Sequence, residues 1–246
     1  MQTIFYRNLA IPCYDTDRSL KIKPTAFLNY AQDMAGDHAE LLDFGVEPLL
    51  ERNLVWVITR MKVEFLKMPQ WRDNVKIRTW HRGYVGAFFV REFLMHSESD
   101  ELLARATTSW VLFNIQDRKM ERPDDIGSNT DSVNDESYME PCSRLRLPRN
   151  LELQKVGSHV VSYSDIDKNG HANNVKYTEW AMDTLDQEFL NSTAVKTLEI
   201  DFVNEAHPGD EVTLYSTSVT NEDGSLTWYF RGMLGETESY VLKLDF

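Results

Sequence analysis

Polar side chains of the kinds used in catalysis are concentrated in residues 165–177, which read Asp-Ile-Asp-Lys-Asn-Gly-His-Ala-Asn-Asn-Val-Lys-Tyr. Asp167, Asn169 and His171 alternate along this segment, so their side chains can converge on one side of a turn. A helix is predicted to begin directly afterwards, and the first N–H groups of a helix lack partners within it. Free N–H groups of this kind can stabilise an oxyanion. The segment therefore predicts a catalytic site.

The first half of the chain provides an internal control. At the corresponding place, residues 17–24, it reads Asp-Arg-Ser-Leu-Lys-Ile-Lys-Pro, without Asn, His or Gly. The fold therefore does not require the polar groups of the second half. Some of those groups have a structural alternative, since Asn173 or Asn174 can cap the helix and Asp165 can pair with Lys168.

The sequence repeats itself around the candidate site. Residues 63–77 align without a gap with residues 200–214, and each copy reads as a strand, a Pro-containing turn ending in Asp, and a second strand. A helix precedes each copy, predicted over residues 24–44, with Gly45 ending it, and over residues 174–190. Further strands are predicted over residues 88–96, 105–115, 226–234 and 239–245.

One long helix followed by an antiparallel sheet in each half predicts an α+β fold. We expect the strands to wrap each helix and the two sheets to join into one extended sheet. The predicted domains are residues 1–120 and 149–246, joined by an acidic linker over residues 121–148. Residues 121–140 carry seven acids against one base, with too little apolar content to build a core.

The repeat also isolates one acidic side chain. Glu205 aligns with Met68, and Ala206 aligns with Pro69. An acid where the other copy has a thioether is a candidate site residue, and its structural alternative is an exposed turn residue.

Composition excludes several classes of protein. With 246 residues and 42% hydrophobic content, the chain can bury a sizeable core. A net charge of −13 argues against a nucleic acid partner. Two cysteines, Cys13 and Cys142, make neither a disulfide framework nor a zinc site, so we expect no metal and no cofactor. Without an apolar run of membrane-spanning length or a signal-peptide pattern, we expect a cytoplasmic protein.

Three segments resemble the acyl-acyl carrier protein thioesterases of plant plastids and bacteria, a family with a double hotdog fold. Residues 53–61, Asn-Leu-Val-Trp-Val-Ile-Thr-Arg-Met, form the first, together with Pro69-x-Trp71-x-Asp73 and Thr79-Trp80. The second is Ala-Thr-Thr-Ser-Trp-Val-Leu-Phe-Asn at residues 106–114. The third, Asn-Gly-His-Ala-Asn-Asn-Val-Lys-Tyr-x-x-Trp at residues 169–180, resembles the best-known motif of the family. Together they cover nearly the whole chain.

This resemblance implies a tandem hotdog that hydrolyses the thioester between a fatty acyl chain and the phosphopantetheine arm of acyl carrier protein, in fatty acid biosynthesis. It implies that the active-site residues are Asp167, Asn169, His171 and Glu205. Plant members usually carry a Cys beside the Glu, whereas Ala206 stands here. A thiol nucleophile is therefore not expected.

Thioester hydrolysis needs an attacking water, a base and an oxyanion stabiliser. We expect Glu205, helped by His171, to polarise the water, and the N–H groups of Gly170 and His171 to hold the oxyanion. Asn169 would orient the water or the substrate carbonyl, and Asp167 would orient Asn169 or His171. Direct attack by Asp167, giving an anhydride, is the alternative.

If the second hotdog holds the chemistry, the non-catalytic first hotdog is free to hold the acyl chain. Apolar candidates for this pocket, for which ordinary core is the alternative, are Phe27, Met34, Trp56 and Met61. Acyl carrier protein is acidic and needs a basic docking face, with the candidates Arg144, Arg146, Arg149, Lys168 and Lys176. The two halves can pair within one chain, so either a monomer or a homodimer is compatible with the sequence.

Three other functions compete with this hypothesis. An acyl-CoA thioesterase of the same fold differs only in the carrier. Hydratases of this fold tend to place the His five residues after the Asp, whereas His171 follows Asp167 by four. A non-catalytic acyl-binding protein would not need the Asp, Asn, His and Glu that one copy has.

Overall fold

The computed structural model describes residues 3–122, 134 and 136–246, and the chain divides into two compact units. The first unit comprises Met1–Cys142 and the second comprises Ser143–Phe246. Among the described residues, no helix combines the length and apolar character needed to span a membrane.

The first unit is an antiparallel sheet with one long and one short helix. Its strands follow the order β1-β3-β4-β5-β2, and β6 pairs with β5. A 3-10 turn over Cys13–Asp15 lies between the first strand and the first helix. The elements are β1 (Ile4–Ala10), α1 (Pro24–Leu41), α2 (Val46–Leu50), β2 (Leu54–Phe65), β3 (Asn74–Val85), β4 (Phe88–Ser97), β5 (Leu102–Asn114) and β6 (Lys119–Glu121).

Helix α1 begins at Pro24, where the fixed φ of proline suits the first turn and its missing N–H costs nothing. It buries one face, and the ring of Phe27 meets that of Phe65 edge-on, with centroids 5.8 Å apart. The helix ends at Leu41, earlier than the predicted residue 44, because Asp43 adopts a left-handed φ of 60°. Gly45, predicted to end α1, instead caps the start of α2.

The second unit has the same order of elements through its first five strands, and its first helix is shorter than α1. Its antiparallel strands follow the order β8-β11-β10-β9-β7. A 3-10 turn over Tyr163–Asp165 precedes its first helix. The elements are β7 (Gln154–Val160), α3 (Asn174–Met182), α4 (Gln187–Ser192), β8 (Thr197–Phe202), β9 (Glu211–Thr220), β10 (Leu226–Leu234) and β11 (Thr237–Asp245).

The single helix predicted over residues 174–190 is broken into α3 and α4. The Thr184 hydroxyl donates to the carbonyl of Ala181 at 2.7 Å, a local bond that competes with helix continuation. Asp186 then caps α4, since its carboxylate accepts the N–H of Phe189 at 2.9 Å. Because an N-cap adopts extended backbone, a helix cannot pass through that residue.

Residues 134 and 136–142, which the sequence assigns to the linker, lie against the sheet of the first unit. The Tyr138 N–H donates to the buried carboxylate of Glu92 at 2.8 Å, and Arg82 Nη1 donates to the carbonyl of Met139 at 2.7 Å. Met139 itself is buried. The rest of the predicted linker up to residue 135, apart from residues 121, 122 and 134, lies outside the described residues.

Candidate active site

The loop that leads into α3 is anchored by Asp165, whose side chain is 5% exposed. Its carboxylate accepts hydrogen bonds from His159 Nε2 at 2.8 Å, from the Ser162 N–H at 2.8 Å and from Trp180 Nε1 at 3.3 Å. Burial raises the pKa of this carboxyl, but the bonds from His159 and Ser162 outweigh burial and hold the pKa below its ordinary value. The charged carboxylate therefore ties β7, the 3-10 turn and α3 together.

Asp167 organises the next turn, residues 167–171, here called the Asp167 turn. Its carboxylate accepts the Asn169 N–H at 2.8 Å and Asn169 Nδ2 at 3.3 Å. The Asp167 N–H donates to the carbonyl of His171 at 2.9 Å, and the Gly170 N–H donates to the carbonyl of Asp167 at 3.0 Å. Asn173 follows as the helix cap and accepts the Val175 N–H at 2.9 Å, so its structural interpretation is confirmed.

The first unit contains the same turn at residues 17–21, here called the Asp17 turn. The Asp17 N–H donates to the Lys21 carbonyl at 2.8 Å, and the Leu20 N–H donates to the Asp17 carbonyl at 3.0 Å. The Asp17 carboxylate accepts the Ser19 N–H at 2.8 Å, as Asp167 accepts that of Asn169. The aspartate is thus part of a turn common to both units, and the differences lie in the other side chains.

The two turns differ in one backbone donor. In the first unit, the Lys21 N–H donates to the Asp17 carboxylate at 3.1 Å. In the second unit, the carboxylate of Asp167 is occupied by the backbone and side chain of Asn169, and no hydrogen bond of the His171 N–H is found within the part of the chain that the structure describes. The Asp17 carboxylate likewise accepts both the N–H and the hydroxyl of Ser19, so the two turns differ in the backbone donor of their fifth residue, Lys21 or His171.

Glu205 meets His171 across the loop that follows β8. The distance from His171 Nδ1 to Glu205 Oε2 is 3.2 Å, and the side chains are 36% and 54% exposed. The neighbouring residue, Ala206, is buried. Its carbonyl accepts the Ala172 N–H at 2.9 Å, and its N–H donates to the Tyr177 hydroxyl at 3.0 Å. These two bonds fix the backbone on which Glu205 stands relative to the Asp167 turn.

Tyr177 supports the site as a neutral hydroxyl. Burial raises its pKa and outweighs the hydrogen bonds with the Ala206 N–H and Ser239, while the charges of Glu205 and Asp167 act in the same direction as burial. The phenol therefore remains protonated and holds the Ala206 backbone in place.

The sequence missed His207 as a site residue. Its ring lies against that of His171, with centroids 4.7 Å apart and planes inclined by 20°. The signal was present in the repeat alignment, where His207 stands opposite Gln70. From the sequence alone, a histidine two residues after Glu205 cannot be distinguished from an ordinary surface residue. The stacking on His171 is what identifies it.

An open cleft of about 720 Å³ borders the Asp167 turn. Tyr163, at its wall, is 97% exposed, so both faces of its ring are accessible beside the loop. The lining residues are Ser162, Tyr163, Ser164, Ile166, Asp167 and Pro208.

The predicted docking residues fall into two groups. Arg144, Arg146 and Arg149 are exposed, and the segment is anchored where the Leu145 N–H donates to the buried carboxylate of Asp201 at 3.0 Å. Lys168 is exposed on the Asp167 turn. Lys176 is half-buried and forms an ion pair with Glu179 at 2.7 Å, so part of its charge is already matched.

The predicted pocket residues lie in the interior of the first unit. Phe27, Met34 and Met61 are buried, with the first two fully inaccessible. Trp56 is half-buried against a cluster of Leu49, Leu54, Phe89 and Leu112. Placement in the interior is compatible with both a pocket lining and ordinary core.

Two family models match the chain, one in each half. The model of the acyl-ACP thioesterase N-terminal domain matches residues 2–129, and that of the C-terminal domain matches residues 149–240. The chain belongs to the acyl-ACP thioesterase family. The resemblance found in the sequence is therefore confirmed.

Individual members of the family agree with this assignment. The chain is 30% identical over 216 residues to oleoyl-acyl carrier protein thioesterase 2, chloroplastic, from Arabidopsis thaliana, covering 78% of this chain and 57% of that protein. It is 27% identical to the oleoyl-acyl carrier protein thioesterase of Coriandrum sativum, covering 88% of this chain and 63% of that protein. The chain thus spans about three fifths of the length of these relatives.

Solved structures give the same fold. An acyl-ACP thioesterase from Bacteroides thetaiotaomicron superimposes with a TM-score of 0.85 at 22% identity, covering 99% of this chain and 97% of that one. The 12:0-ACP thioesterase from Umbellularia californica gives 0.86 at 22% identity, covering 99% and 93%. The predicted α+β double hotdog is confirmed.

Proposed function

We propose that the protein hydrolyses fatty acyl thioesters of acyl carrier protein, releasing a free fatty acid and the carrier thiol. Family membership supports the reaction class. The observation that carries the proposal is the pair formed by His171 Nδ1 and Glu205 Oε2, 3.2 Å apart, next to the His171 N–H, which has no hydrogen-bond partner among the described residues. A base and an oxyanion donor at one place are what thioester hydrolysis requires.

The geometry supports His171 as the group that takes the proton from water. If Nδ1 carries a hydrogen and donates it to the Glu205 carboxylate, Nε2 keeps the lone pair needed by a base. Glu205 then stabilises the imidazolium that forms, which gives it a supporting role rather than the direct one expected from the sequence. Water oxygen bonds to the thioester carbon as its proton passes to Nε2.

The oxyanion of the tetrahedral intermediate accepts the free N–H of His171 in this proposal. The Gly170 N–H, also expected to contribute, already donates to the Asp167 carbonyl at 3.0 Å, which favours His171 as the donor. Collapse of the intermediate breaks the C–S bond and expels a thiolate, a good leaving group. The imidazolium proton goes to that thiolate and restores the base.

Asp167 fits a positioning role. Its carboxylate is engaged by Asn169 as that of Asp17 is engaged by Ser19 in the turn without Asn or His. Asn169, held through both its N–H and its amide, is thereby oriented for the water or the substrate carbonyl. These contacts argue against direct attack by Asp167.

The test is thiol release by the purified protein from acyl chains of increasing length, each on acyl carrier protein and on coenzyme A. Preference for the carrier protein supports the proposal. Preference for coenzyme A would indicate an acyl-CoA thioesterase with the same hydrolytic chemistry. No release from either would leave an acyl-binding protein, and equilibrium binding of the same acyl carriers would then identify it.

A further inference from the structure

We propose that His207 is a positioning residue for this reaction, holding the imidazole of His171 in the plane that directs its Nδ1 at Glu205. This inference rests on the proposed function for its catalytic consequence. The contact itself is the near-parallel arrangement of the two rings, with centroids 4.7 Å apart and planes 20° from parallel. One face of the His171 ring is thereby covered by a flat neighbour.

His207 stands on a rigid backbone. It opens a turn of the sequence His-Pro-Gly-Asp, in which the Asp210 N–H donates to the His207 carbonyl at 3.0 Å. The His207 N–H donates to the Asp210 carboxylate at 2.8 Å, and Gly209 has the positive φ, 89°, that the third position of a type II turn requires. The His207 ring, which we call the platform for His171, is therefore held on a well-ordered turn.

The same turn is tied to the strand that leads into the catalytic loop. The Gly209 N–H donates to the Val161 carbonyl at 2.9 Å, and the Val161 N–H donates to the Asp210 carbonyl at 2.9 Å. Val161 directly follows β7 and precedes the 3-10 turn that ends at Asp165. The platform and the Asp167 turn are therefore fixed to one piece of backbone.

The turn does not need a histidine. In the first unit, Gln70 opens an equivalent turn, in which its N–H donates to the Asp73 carboxylate at 2.8 Å and the Asp73 N–H donates to its carbonyl at 3.0 Å. Arg72 has the corresponding positive φ of 72°. Because Gln serves this turn equally well, the imidazole of His207 is left to act on His171.

A stacked ring constrains the rotation that matters for a base. Turning the His171 ring about its bond to the β-carbon would move Nδ1 away from Glu205 and tilt the ring out of the stack. Aromatic pairs of this kind contribute about 0.5–1.5 kcal/mol beyond burial, or roughly two- to tenfold in a rate that depends on the aligned rotamer.

The experiment compares His207→Gln, which installs the residue of the first unit, with His207→Phe, which keeps a flat ring. We expect His207→Gln to lower kcat about three- to tenfold with KM within about twofold, and His207→Phe to recover most of the loss. Gln70→Ala, in the matching turn of the first unit, is the control and should leave kcat unchanged. An equal loss of kcat in the Gln and Phe variants would contradict the positioning role of the His207 ring.

A second measurement does not depend on activity. In wild-type protein, the ring ¹⁵N shifts of His171 should report a single tautomer with the hydrogen on Nδ1, and His207→Gln should move them towards tautomer averaging. Unchanged shifts would contradict the positioning role even in an active enzyme. If wild-type protein proved inactive, the proposed function would fail while this measurement still decided whether His207 orders His171.

Discussion

Leu20 of the first unit occupies the position that Gly170 occupies in the second, and both have positive φ, 66° and 81°. The Asp17 turn thus shows that this backbone tolerates a side chain at a cost of about 1–2 kcal/mol. A β-carbon added at Gly170 would meet no atom within 4 Å. Glycine at this position therefore leaves open space next to His171.

This relationship predicts the effect of Gly170→Ala. Stability should fall by only about 1 kcal/mol, from backbone strain. Activity should fall about tenfold, because the new methyl occupies space beside the His171 N–H, the donor that we propose for the oxyanion. Thermal unfolding and kcat/KM separate the two effects, and full activity in a folded variant would place the reacting group elsewhere.

Removing the Glu205 carboxylate tests the pair with His171. Glu205→Ala should lower kcat by about a hundredfold or more, because the imidazolium loses its countercharge and Nδ1 loses its partner. Glu211→Ala, an exposed acid at the start of β9, is the matched control and should change kcat little. A rate for Glu205→Ala within threefold of wild type would remove Glu205 from the mechanism.

Oxygen labelling separates water attack from attack by Asp167. A single turnover in H₂¹⁸O should place one ¹⁸O in the released fatty acid and none in the enzyme. An anhydride that water opens at the Asp167 carbonyl would place an enzyme oxygen in the first product molecule and ¹⁸O in the carboxylate of Asp167. Mass spectrometry of the fatty acid and of the peptide containing Asp167 gives both readings.

The hydrogen-bonded carboxylate of Asp165 should make the second unit less stable at acid pH. Its pKa in the folded protein lies below the unfolded value of about 3.9, so folding favours the charged form. The stabilisation is present above the unfolded pKa and is lost as the pH falls through the folded one. Asp165→Asn should cost about 2 kcal/mol at neutral pH. The difference from wild type in unfolding free energy should shrink below about pH 4, and a difference that stayed constant there would rule out this source of stability.

The exposed arginines predict recognition of an acidic carrier. Reversing Arg144 and Arg146 to Glu should raise KM for acyl carrier protein substrates about tenfold, through lost attraction and new repulsion, with kcat little changed. A small acyl thioester without the carrier is the control substrate and should be hydrolysed normally. The difference in KM between the variant and the wild type should decrease at high ionic strength. Equal effects on both substrates would argue against docking at this segment.

The sequence alone determined the duplication and the candidate loop, because both depend on local patterns. Alternation and turn residues identified the strand-turn-strand segments at residues 63–77 and 200–214, and residues 165–177 stood out against the Asp17 turn. The two strands of each segment do not form a hairpin, since β2 pairs with β5 and β8 pairs with β11. Local sequence patterns predicted the ends of the helices less accurately. The end of α1 depends on the left-handed Asp43, and the break after α3 depends on the cap at Asp186.

Only the tertiary structure decided what these residues do together. The contact of His171 with Glu205 and its stacking on His207 join a loop before α3 to a turn after β8. The spacing of residues along the sequence cannot reveal this contact. The two segments are distant in sequence and meet only in the fold, through hydrogen bonds such as that from the Ala172 N–H to the Ala206 carbonyl. The difference between the Lys21 N–H, which donates to Asp17, and the His171 N–H likewise depends on the direction of each donor. That direction is a property of the folded backbone and not of residue type.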